Sequence, residues 1–92
     1  MKRLRVIYQG RVQGVGFRFT AEAIALGLHL TGWVKNLPNG DVELLGEGPK
    51  DSLNRLMDKI RASALGKYIQ KEKVSWEAFR NEFSDFRVEF VY

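Results

Sequence analysis

Leu4, Val6 and Tyr8 alternate with Arg3, Arg5, Ile7 and Gln9, the two-residue period of a strand with at least one buried face. The glycine-rich stretch from Gly10 to Gly16 breaks this alternation. Ala21, Ile24, Ala25 and Leu28 then recur at i, i+3, i+4 and i+7, the stripe of an amphipathic helix spanning roughly 17–29. Two further strands, Thr31 to Leu37 and Asp41 to Glu47, are joined across Leu37-Pro38-Asn39-Gly40, where Asn-Gly supplies the positive φ angles of a tight hairpin. The proline of Gly48-Pro49 suits a first helical turn. With Leu53, Leu56, Met57, Ile60 and Ala64 it predicts a second helix over roughly 49–64, with Gly66 as its stop. Strand-like alternation returns over Ile69 to Glu77, where Val74 and Trp76 share a face, and over Phe86 to Tyr92, where Phe86, Val88, Phe90 and Tyr92 do.

The resulting order is β-α-β-β-α-β with one additional short strand near the end. It predicts an α+β, ferredoxin-like α/β sandwich in which two helices cover one face of an antiparallel sheet. With no repeat, low-complexity tract or linker, residues 1–92 are expected to form a single domain. This topology hosts many unrelated activities and names none of them. It does bring two places together: strands one and two run parallel with strand three between them, so their carboxyl ends share one edge, roughly 9–10 Å apart. Arg18, just after strand one, and Asn36, at the end of strand two, occupy those places.

The 45% hydrophobic and 28% charged residues, with two Trp, three Tyr and six Phe, describe a folded chain. The absence of cysteine excludes disulfides, thiolate catalysis and cysteine zinc clusters. No apolar run approaches the roughly 18 residues of a membrane span. Met1-Lys2-Arg3-Leu4-Arg5 leads into alternation with no signal-peptide core, so the expected location is the cytoplasm, with no membrane partner. The net charge of +4 suits a phosphate-bearing ligand, but its lysines and arginines are spread along the chain.

Gly10-Arg11-Val12-Gln13-Gly14-Val15-Gly16-Phe17-Arg18 joins a strand to a helix start. Its glycines allow backbone N–H groups to turn inward, and the helix N-terminus and a guanidinium fork add positive charge at the same spot. From the residues alone it is either a phosphate cradle or a glycine-rich connection. It is not a dinucleotide fingerprint, since Phe19 stands where the third glycine belongs, nor a P-loop, since Gly-Lys-Ser/Thr is missing. Asn36 either shapes the hairpin through its side-chain amide or orients a water, offering an acceptor and donors without a negative charge that would repel phosphate.

GRVQGVGFR, Gly10 to Arg18, resembles the first signature of the acylphosphatase family, and Gly32-Trp33-Val34-Lys35-Asn36, followed by Gly40, Val42 and Gly48, resembles the second. With the element order, the resemblance covers essentially all 92 residues. It implies an enzyme that hydrolyses the carboxyl–phosphate bond of small acyl phosphates with no metal and no cofactor. Carried over by position, Arg18 and the amides of Gln13, Gly14, Val15, Gly16, Phe17 and Arg18 would bind the phosphoryl group, and Asn36 would orient the nucleophilic water. The implied ligands are an acyl phosphate and inorganic phosphate, and the accompanying expectation is a monomer. The chemistry is consistent with this, because the carboxylate leaves without being protonated and phosphoryl transfer is catalysed mainly by positioning and charge stabilisation. Such relatives suggest that the water's proton passes to the substrate's own phosphate.

His29 falls where such relatives commonly carry a glycine ending the first helix, so the helix exit is expected to differ and the histidine to be structural. Lys67, Lys71 and Lys73 are expected on a solvated strand face, and Phe79, Phe83 and Phe86 in the core. An RNA-recognition domain shares the element order, but strand three, Asp41-Val42-Glu43-Leu44-Leu45-Gly46, has two acids and no aromatic residue on which bases could stack, so no nucleic-acid partner is expected. The alternative is a non-catalytic phosphate-binding or regulatory domain on the same scaffold, as in domains fused to hydrogenase-maturation proteins. Retention of both Arg18 and Asn36 argues against it.

Overall fold

Leu4, Val6 and Tyr8 are fully buried on one face of strand β1 (Lys2–Gly10) in the computed structural model, which describes residues 1–90. Helix α1 (Phe17–Gly27) buries Phe17, Ala21 and Ala25, and helix α2 (Lys50–Ala62) buries Leu53, Leu56, Met57 and Ile60. These side chains meet Val34 of strand β2 (Thr31–Asn36) and Val42 and Leu44 of strand β3 (Val42–Gly48) in one cluster between the helices and the sheet. Each fully buried branched aliphatic side chain in such a core contributes about 1.5–3 kcal/mol relative to exposure. A one-turn 3₁₀ helix (Gly66–Tyr68) leads into strand β4 (Ile69–Glu77), and strand β5 (Phe86–Glu89) follows. The order is the expected ferredoxin-like one, with the extra strand.

Both helices end earlier than the apolar stripes predict, for local reasons. After Gly27 the N–H of His29 donates to Leu26 O at 3.1 Å and that of Leu30 to Ala25 O at 3.0 Å, the paired bonds of a left-handed helix exit. His29 supplies the left-handed residue at φ 58°, so a histidine performs the turn for which glycine is usual. Pro49 caps α2 from just outside it, and the hydroxyl of Ser63 ends it by donating to Ile60 O at 2.6 Å. Ala64, placed by its spacing on the apolar stripe, is therefore beyond the helix and exposed.

The sheet order is β4-β1-β3-β2-β5. The four strands of the β-α-β-β-α-β order pair antiparallel as expected, while the additional strand β5 pairs parallel to β2, Gly32 with Phe86 through Lys35 with Glu89, so the five-stranded sheet is mixed. The cause is the connection 78–85, which carries the chain from β4 at one edge to β5 at the other. It crosses the sheet face opposite the helices, where buried Glu47 accepts the N–H groups of Arg80 at 2.7 Å and Glu82 at 3.3 Å. Buried Arg3 pairs with Glu82 at 2.5 Å and lies 5.4 Å from the centroid of the Phe83 ring. Two charged residues on the polar side of their strands are thus covered by a strap of chain.

The strap also redistributes the aromatics expected in the core. Phe86 is buried, but Phe83 is half-buried under Arg3, and Phe79 lies exposed on the strap. Val74 and Trp76 share the helix-side face, opposite Val6 and Leu4, yet stay partly exposed because β4 is an edge strand. Lys67, Lys71 and Lys73 are all exposed, but only Lys71 and Lys73 lie on the expected strand face, since Lys67 sits in the 3₁₀ helix before β4. The last predicted strand continues only to Glu89; Phe90 is 67% exposed, and Tyr92 lies outside the described residues.

Candidate active site

Tyr8 of β1, Val42 of β3 and Asn36 of β2 stand in one row across the sheet, since Val42 is the register partner of both others. Partners in a row share a face, so Asn36 lies on the helix-covered side, at the end of the sheet where α1 begins. The chain leaves β1 at Gly10, is held by the Arg11 N–H on Tyr68 O at 3.0 Å, and turns through Gly14 and Gly16, both at φ 77°. A side chain at either glycine would meet no neighbouring atom within 4 Å, so backbone conformation rather than crowding calls for glycine there.

Gly16 is the N-cap residue of α1 and offers no side-chain cap, and the first turn has no acidic residue. The leading N–H groups of the helix therefore keep their positive potential for an anion. Phe17 anchors this terminus in the core, its ring 4.9 Å from that of Tyr8. The Tyr8 hydroxyl is buried without a hydrogen-bond partner among the described residues, and burial, reinforced by Glu72, pushes its pKa well above the ordinary value. It stays a neutral phenol at physiological pH.

A pocket of about 100 Å³ opens between these parts, lined by Val12, Gly14, Gly16, Phe17, Arg18, Phe19 and Asn36. Arg18 and Asn36, assigned from the sequence as a pair, meet in it. Of the expected phosphate-contacting loop, Gly14, Gly16, Phe17 and Arg18 line the pocket, whereas the side chains of Gln13 and Val15 go elsewhere. Gln13 reaches the β2–β3 hairpin, donating at 2.8 Å to the carbonyls of Leu37 and of Asp41, and Val15 packs against the core. Arg18 is held from the opposite edge of the sheet: its Nη1 donates to Glu89 O at 3.1 Å, and its guanidinium carbon lies 5.0 Å from the centroid of the Phe90 ring.

Sequence reasoning missed Phe19, Phe90 and the Gln13 side chain. Phe19 carried a readable signal, as a bulky ring outside the stripe formed by Ala21, Ile24, Ala25 and Leu28. The other two depend on contacts between distant elements and had none. A larger cavity of about 220 Å³ lies between Trp33, the strap residues 82–85, Arg87 and Glu89, and shares neither Arg18 nor Asn36. Among the described residues no group of three or more His, Asp or Glu side chains is arranged to hold a metal ion. No helix among them is long and apolar enough to cross a membrane.

The acylphosphatase family profile matches residues 4–88. An acylphosphatase from Syntrophus aciditrophicus (strain SB) is 42% identical over 88 residues, spanning 96% of this chain and 92% of its own. The crystal structure of an acylphosphatase from Bacillus subtilis matches with a TM-score of 0.89 and 34% identity, covering 100% of both chains. That of an acylphosphatase from Coxiella burnetii matches with a TM-score of 0.74 and 38% identity, over 96% of this chain and 92% of its own.

Proposed function

This chain belongs to the acylphosphatase family, an enzyme acting on acyl phosphates, and we propose that the reaction takes place in the pocket between the Gly10–Arg18 loop and Asn36. The observation that carries this reading is the meeting of Arg18 and Asn36 in one small pocket at an uncapped helix N-terminus.

The phosphoryl group sits against the N–H groups of residues 13–18, with the Arg18 guanidinium on its oxygens as a two-pronged donor. Asn36 holds the attacking water through its side-chain amide. As the water oxygen bonds to phosphorus, the bond from phosphorus to the bridging oxygen breaks and its electron pair leaves with the carboxylate. One water proton passes to a phosphoryl oxygen, so the products are a carboxylate and inorganic phosphate. The carboxylate needs no acid to protonate it, and the catalytic contribution is positioning plus fixed positive charge on the equatorial oxygens. We read the reaction as metal-free on this chemistry.

We also read residues 1–92 as a single domain acting as a monomer. Among the described residues every buried apolar side chain except Leu45 belongs to one cluster, and the exposed edge strand β4 carries Lys71 and Lys73, which oppose edge-to-edge pairing. The test of the reaction is release of phosphate from acetyl phosphate by purified protein in the presence of chelator. Activity with competitive inhibition by inorganic phosphate is the expected result, and activity lost to the chelator would overturn the metal-free reading.

A further inference from the structure

One exposed phenylalanine ring lines the pocket, and a second stands beside it, outside the lining. Phe19, one of the lining residues, is 56% exposed, Phe90 is 67% exposed, and their ring centroids are 6.1 Å apart with a 50° tilt. Neither belongs to the buried core, which takes Phe17 and Phe86 instead. Single exposed rings are ordinary on a protein surface, but these two are neighbours, and both are tied to Arg18: Phe19 follows it in α1 and Phe90 lies against its guanidinium.

The size of the pocket decides what the rings face. At about 100 Å³ it is several times larger than the roughly 10–15 Å³ needed by one water. It is also well below the about 300–1,000 Å³ of sites that enclose a drug-sized ligand. A phosphoryl group inside it leaves the acyl group outside, on the lip. Phe19 and Phe90 form a tilted pair there, and a third flat ring can pack against their exposed faces and edges by offset or edge contacts.

We propose that Phe19 and Phe90 form the acyl-group platform of this enzyme, so that its preferred substrates are acyl phosphates carrying a flat aromatic group next to the carboxyl. This rests on the reading that the phosphoryl group binds at Arg18. Small acyl phosphates then use the phosphate cradle alone, while aromatic ones add ring contacts outside it.

The test compares benzoyl phosphate with acetyl phosphate in wild-type protein, Phe19→Ala and Phe90→Ala, with inorganic phosphate as a competitive inhibitor of each. The expected result is a preference for benzoyl phosphate in kcat/KM that drops about five- to tenfold in each variant, with the inhibition constant for inorganic phosphate staying near the wild-type value in Phe19→Ala. A preference unaltered in both variants, while phosphate still competes, would overturn the platform and leave the Arg18 reading standing. Parallel loss on both substrates with weakened phosphate inhibition in Phe90→Ala would show that Phe90 acts by supporting Arg18, which also overturns it. If inorganic phosphate competes with neither substrate in wild-type protein, the Arg18 reading falls and takes the platform with it.

Discussion

The side-chain amide of Gln13 donates to the backbone carbonyl of Leu37 across 2.8 Å, and the same nitrogen donates to Asp41 O at 2.8 Å. Leu37 follows Asn36 directly, so this amide ties the Gly10–Arg18 loop to the hairpin that carries Asn36. Gln13→Ala keeps the backbone N–H assigned to phosphate and removes only the tie. We expect turnover to fall about tenfold while inhibition by inorganic phosphate changes less than about twofold, and stability to drop by about 1–2 kcal/mol. Steady-state kinetics and a denaturant titration on one preparation check both. Equal losses in turnover and phosphate affinity would place Gln13 in binding rather than positioning.

Arg18→Ala is expected to leave turnover close to background, and Arg18→Lys to recover little of it. Lysine retains the charge but presents one point of contact where the guanidinium presents a planar fork. Both variants should bind inhibitory phosphate more weakly, because the contact is already made in the ground state. Phosphate-release kinetics with a phosphate inhibition series measure the two effects, and wild-type kinetics in Arg18→Lys would make the fork irrelevant.

Asn36→Ala should separate water positioning from phosphate binding. Loss of one preorganised polar group acting on the transition state costs about 10²–10³ in rate, or roughly 2.7–4 kcal/mol. Inhibition by inorganic phosphate should stay within about twofold of wild type. If Asn36 only shapes the hairpin, the variant will instead melt at a lower temperature and turn over normally once folded. Thermal melts followed by circular dichroism, run beside the kinetics, distinguish these outcomes.

Tyr8→Phe addresses stability and its dependence on pH. Burial raises the phenol pKa in the folded chain, with Glu72 adding to the shift and Arg61 opposing it. Above about pH 10 the unfolded chain therefore loses a proton that the folded chain keeps, and stability falls as pH rises. Phenylalanine removes this loss along with a buried hydroxyl that has no partner among the described residues. We expect Tyr8→Phe to be about 1 kcal/mol more stable at neutral pH, with a melting temperature about 4–8 °C higher, and its advantage to widen above about pH 10. Urea titrations of both proteins between pH 7 and pH 11 are the measurement, and a destabilised variant at neutral pH would mean that the hydroxyl is satisfied.

The order of strands and helices was legible in the sequence because the periods of two and 3.6 residues are local properties of the chain. Leu4, Val6 and Tyr8, and likewise Leu53, Leu56, Met57 and Ile60, announce their buried faces without reference to anything distant. The pairing of Arg18 with Asn36 was legible too, since the element order brings the ends of β1 and β2 to the same edge, and two motifs of recognisable family type fall at those ends. Apolar periodicity, however, marks a face and never a partner. Arg3 and Glu47 lie on the polar side of their strands and yet are buried, because a connection far along the chain covers them. The same limit applies to β5, whose parallel pairing with β2 follows from where that connection returns.

What the sequence determined by itself was therefore the set of elements, the faces they bury and the two places where chemistry is concentrated. The tertiary structure decided how those places are braced and what surrounds them: Gln13 on the hairpin carbonyls, Glu89 and Phe90 against Arg18, and Phe19 beside Phe90 at the pocket's lip. Each of these contacts joins residues on different elements. Its geometry is set by strand order, register and helix placement acting together, and no pattern within a single element encodes them.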